Sequence, residues 1–107
     1  MKAHQYRSNI INLVDRLFVE TGGAKSRLQK CENGITNAYL SSSEEGVPVK
    51  VQEYWQTLWE ELNTEKEQRT KRGKLIQSSF MLTTQKKQSR YLQKFVLFFI
   101  EEFHRVT

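Results

Sequence analysis

The sequence predicts an all-α fold, and three observations carry that prediction. Apolar residues recur at helical spacing in three separate stretches, starting at Ile10, Val51 and Tyr91. One proline and five glycines are too few for the many tight turns of an all-β fold. With 37% hydrophobic and 11% aromatic residues, a chain of 107 residues can fold around one modest core.

Taken in order, the elements read as follows. Ser8 is placed to cap the first helix, where Ile10, Ile11, Leu13, Val14, Leu17 and Phe18 share the spacing of one buried face. Thr21-Gly22-Gly23 ends it, because glycine readily adopts the left-handed conformation that closes a helix. A short helix follows from Ala24 to Cys31, with Leu28 and Cys31 inward. Asn33-Gly34 then makes a turn, since both residues tolerate positive φ. Ile35 ties that turn to the core, and Thr36 is placed to cap a short third helix. Beyond Ser41-Ser42-Ser43 come a polar loop, Glu44-Glu45-Gly46, and an extended Val47-Pro48-Val49.

A longer helix starts near Lys50, with Val51, Tyr54, Trp55, Leu58 and Leu62 inward and Trp59 at the edge of that face. The run Glu65-Lys66-Glu67-Gln68-Arg69 favours helix and is able to prolong it until Gly73. Residues 75–85, LIQSSFMLTTQ, fit a strand or extended arm as well as a loop sending Leu75, Phe80 and Leu82 to the core. The last helix, Ser89 to Arg105, is apolar on more than one face. It needs burial on two sides, between other helices or against a second copy of the chain.

Charge is unevenly placed. The net +5 lies entirely in the second half, and residues 66–94 carry nine basic side chains against Glu67 alone. Such a concentration suits an anionic partner, with nucleic acid the commonest. Other classes find little support. One cysteine, Cys31, rules out an internal disulfide or a four-thiolate metal site and reads as a small core residue. His4 and His104 have no neighbouring nucleophile–carboxylate arrangement, so the chain is not expected to be an enzyme. Gly22-Gly23-Ala24-Lys25-Ser26 lacks the glycine spacing of a phosphate loop. Neither a metal nor a cofactor is expected. No apolar stretch follows the basic residues of MKAHQYRSN, so no secretory signal is expected. The run from Phe95 to Ile100 is too short to span a bilayer. The expectation is a cytoplasmic protein without membrane contact.

The segment CENGITNAYL, with Gly34, Ile35, Thr36 and the apolar Leu40 at the second inward position, resembles the Cro/XRE-like helix-turn-helix DNA-binding proteins over residues 10–62. The resemblance implies a small helix-turn-helix bundle, and the C-terminal helix adds a dimerisation extension. Two segments are expected: 1–65 as the helix-turn-helix domain, and 66–107 as the basic segment with its apolar helix. Thr36, Asn37, Ser41 and Ser42 would then face base edges, with Asn37 suited to adenine. Lys25, Ser26, Arg27 and Lys30 would hold phosphates, joined by Lys71, Arg72 and Lys74. Tyr91, Phe95, Phe98, Phe99 and Phe103 would form a homodimer contact. The expected function is a sequence-specific, repressor-like regulator that occupies double-stranded DNA as a dimer. The alternative is a small helical adaptor or inhibitor that engages a protein partner through the aromatic C-terminal helix.

Overall fold

The computed structural model describes residues 2–107 and is all-α apart from one small hairpin. Its elements run α1 (His4–Val19), α2 (Ala24–Lys30), α3 (Glu32–Ser41), α4 (Val49–Leu62), β1 (Gln68–Arg69), β2 (Leu75–Gln77), α5 (Ser79–Gln85) and α6 (Ser89–Val106). No described helix is long and apolar enough to cross a membrane.

One turn of α1 precedes the expected Ser8 cap. The cap comes instead from the loop after α3: a Glu44 carboxylate oxygen accepts the backbone N–H of Gln5 at 3.1 Å. A carboxylate at this end also suits the helix dipole. At the other end Arg27 reaches back, donating Nε to the Gly22 carbonyl at 2.9 Å and Nη1 to the Leu17 carbonyl at 3.2 Å. Ile10, Leu13, Val14 and Leu17 are buried as their spacing demands, whereas Phe18 is exposed.

α1 packs against α3 and α6, and α6 also lies along α2. Trp55 of α4 is fully buried, with its ring centroid 5.3 Å from that of Phe99 and 5.5 Å from that of Phe98. Leu58, Leu62, Phe80, Leu92 and Phe95 join the same cluster as Ile10, Leu28 and Ile35. The segments 1–65 and 66–107 therefore share one core. Trp59 covers the edge of α4's buried face, as expected, stacked on Tyr39 with centroids 4.4 Å apart.

A polar knot ties the core layers together. The Trp55 indole donates to the Tyr6 hydroxyl at 2.8 Å, and that hydroxyl donates to Glu102 Oε1 at 2.7 Å. Arg105 donates Nε and Nη2 to the two oxygens of Glu102 at 2.9 and 2.7 Å. The buried carboxylate is thus compensated by a guanidinium fork and a phenol.

Candidate nucleic-acid interface

The break between α2 and α3 falls at Cys31, not at Asn33-Gly34. Cys31 has φ −105° and ψ 17°, while Asn33 and Gly34 lie inside α3 and Gly34 does not have positive φ. The glycine lies instead at a close approach of two helices. A Cβ at position 34 would sit 3.3 Å from Leu13 Cδ1, where α1 and α3 approach closely. Thr36 is correspondingly no N-cap but an internal residue whose hydroxyl donates to the Glu32 carbonyl at 3.0 Å.

The outer edge of α3 differs from the expected reading face in two places. Ser42 is buried, its hydroxyl donating to the Tyr39 carbonyl at 2.6 Å, so it does not stand on the exposed side. Leu40 is not an inward anchor but is 66% exposed; Ile35 and Ala38 are the buried positions. Asn37 is exposed, and its side-chain amide makes no hydrogen bond among the described residues. Ser41 is half-buried. Asn9 of α1 donates Nδ2 to the Asn37 carbonyl at 3.1 Å and to Ser41 Oγ at 3.0 Å. Gln5, Asn9, Asn37, Leu40, Ser41 and Glu44 thus line one open polar groove between α1 and the end of α3. Nothing in the sequence singles out Gln5 and Asn9, because their proximity to Asn37 exists only once α1 and α3 pack.

The cations of α2 are held by the fold. Lys25 Nζ donates to the Gln85 carbonyl at 3.2 Å, Arg27 closes α1, and Lys30 lies 3.6 Å from Glu20. Ser26 is half-buried against Gly22. The Arg16 guanidinium beside Glu20 holds that carboxyl below its ordinary range.

The basic region divides into two physically different parts. Around α5 and α6, Lys86 pairs with Glu65, and Lys94 lies 3.4 Å from Glu61 and 4.2 Å above the Tyr91 ring, while Lys87 and Arg90 have no carboxylate partner among the described residues. On the hairpin, charge is largely uncompensated. β1 and β2 are antiparallel, with Arg69 opposite Leu75, and every residue from 66 to 76 is exposed. Thr70 and Gly73 form the turn, the Gly73 N–H donating to the Thr70 carbonyl at 2.9 Å. Gly73 sits at φ +85°, a left-handed position that glycine fills without strain. The Lys74 N–H donates to Thr70 Oγ1 at 3.1 Å. Arg69 braces the structure, donating Nε to Glu67 at 2.7 Å and Nη1 to the Gly73 carbonyl at 2.7 Å. Lys71, Arg72 and Lys74 project with no side-chain hydrogen bond or ion pair among the described residues.

The aromatic face of α6 is smaller than expected. Phe95 and Phe99 are buried within the single chain, so neither is open to a second copy. Phe98 is half-buried against Tyr54, centroids 4.1 Å apart, and Phe103 is half-buried beside His104. Tyr91 is exposed, as is Leu97. Comparison with family models, curated proteins and solved structures finds no match.

Proposed function

We propose that the protein binds duplex DNA as a sequence-specific, repressor-like regulator of the cytoplasm. The observation that carries this reading is the hairpin, where Lys71, Arg72 and Lys74 stand exposed with no carboxylate partner among the described residues. A phosphate backbone is attracted by such a concentration of unpaired cations. The exposed amide of Asn37 supplies the hydrogen-bonding edge that can meet a base. The mechanism is occupancy: a bound protein covers its site and excludes other proteins. Self-association uses the part of α6 left open, around Tyr91, Leu97, Phe98 and Phe103, and the half-site spacing follows from that dimer.

The second reading, a helical adaptor or inhibitor, draws on the same exposed Tyr54, Tyr91 and Leu97. A random-sequence duplex titrated at several salt concentrations separates the two. A regulator binds the duplex and loses affinity steeply as salt rises. An adaptor shows no retention even at low salt, and that outcome contradicts the DNA reading.

A further inference from the structure

We propose that Arg72 reads a base: the β1–β2 ribbon enters the major groove of duplex DNA, and the Arg72 guanidinium pairs with a guanine. The inference rests on the DNA-binding reading above and moves one of its phosphate contacts to the base edges.

Dimensions select the groove. The major groove, about 12 Å wide, admits a two-stranded ribbon without deforming the duplex, whereas a ribbon seated in the minor groove, about 6 Å wide, requires the duplex to be bent or opened. Partnering then sorts the hairpin's two arginines. Arg69 is occupied, its Nε on Glu67 and its Nη1 on the Gly73 carbonyl, both at 2.7 Å. Arg72 holds a central position of the Thr70–Gly73 turn, is exposed, and has no partner among the described residues. Its fork is therefore free for the two acceptors, O6 and N7, that guanine presents side by side. The tip is also preorganised. Arg69, the Thr70 hydroxyl and the left-handed Gly73 fix the backbone from which Arg72 projects.

The rest of the surface leaves this role open. α3 carries no lysine or arginine, and Glu44 lines the same groove as Asn37. An asparagine there matches adenine, so a guanine preference needs a cation from another element. Lys71 and Lys74 flank Arg72 and remain phosphate contacts, because an ammonium lacks the planar fork.

Selection from a random duplex pool, run side by side with wild type and Arg72→Lys, tests the assignment. Arg72→Lys keeps the charge, so random-duplex affinity and its salt dependence stay at the wild-type level. Wild type enriches sites containing a fixed guanine, and Arg72→Lys lowers that guanine's enrichment about tenfold or more. Unchanged melting of the variant shows that the fold is intact. Because a lysine can also reach guanine O6 and N7, Arg72→Ala is selected alongside. Loss of that guanine in Arg72→Ala supports the assignment. If Arg72→Lys and Arg72→Ala both keep the wild-type enrichment, Arg72 is a phosphate contact and the inference falls while the DNA reading stands. If neither protein retains duplex at low salt, both fall.

Discussion

The indole N–H of Trp55 and the hydroxyl of Tyr6 meet at 2.8 Å inside the core, joining α4 to α1. Because the same hydroxyl donates to Glu102 on α6, removing one oxygen unties three elements. Tyr6→Phe leaves the Trp55 donor without a partner and weakens the setting of a buried carboxylate. Such orphaned groups cost about 1–3 kcal/mol. Thermal unfolding should report a melting temperature lower by several degrees. An unchanged melting curve would mean that this knot contributes nothing net.

The same phenol makes stability sensitive to alkali. Burial first, and then its hydrogen bond to Glu102, push the Tyr6 hydroxyl well above its ordinary range. Burial moves Cys31 and Tyr54 upward too. Each of these groups is neutral when protonated, and the unfolded chain releases its protons at lower pH than the folded one. Their stabilising contribution is therefore complete at neutral pH and is lost as pH rises from about 9 upward. Denaturant midpoints measured between pH 7 and 11 should stay level and then fall. Tyr6→Phe should flatten that fall.

Gly34 distinguishes the two accounts of its neighbourhood. If it made a left-handed turn, any side chain would be strained there. In α3 it is helical, so Gly34→Ala gains up to about 1 kcal/mol of helix propensity. Against that stands a Cβ 3.3 Å from Leu13 Cδ1, in a residue that is fully buried. The opposing effects should leave the unfolding free energy within about 1 kcal/mol of wild type. Gly34→Val adds two methyls at the same close approach and should cost about 2 kcal/mol or more. A large loss already for alanine would mean that Leu13 cannot give way at this approach.

Asn37→Ala removes an exposed amide of α3, unpartnered among the described residues, without touching the core. Discrimination at one base position should drop by about 1–3 kcal/mol, with affinity for unrelated sequences unchanged. Sequence selection by the variant checks this. An identical selected motif would take Asn37 out of the reading edge.

The long helices were legible because burial on one face imprints a period on the sequence. Ile10, Leu13, Val14 and Leu17 sit where that period puts them, as do Trp55, Leu58 and Leu62. At Gly34 the sequence is ambiguous because glycine serves two ends, positive φ and close approach, and only the partner Leu13 tells them apart. The hairpin carries no such imprint. Its strands are two and three residues long and exposed apart from Gln77, so no alternation of apolar and polar residues marks them. Gly73, read as a helix stop, instead closes its turn. On α6 the apolar surplus was real, but α1, α2 and Trp55 absorb Phe95 and Phe99, leaving less for a second copy.

Neutralising the hairpin tip tests the central claim most directly. Lys71→Gln combined with Lys74→Gln changes no core residue and no side chain that braces the turn, so folding should be unaffected. Random-sequence duplex is titrated with wild type and the double variant across a range of salt concentrations. The account expects weaker binding to every sequence and a logarithmic salt slope shallower by about two units, one for each lost phosphate contact. Equal affinities and equal slopes for the two proteins would contradict it.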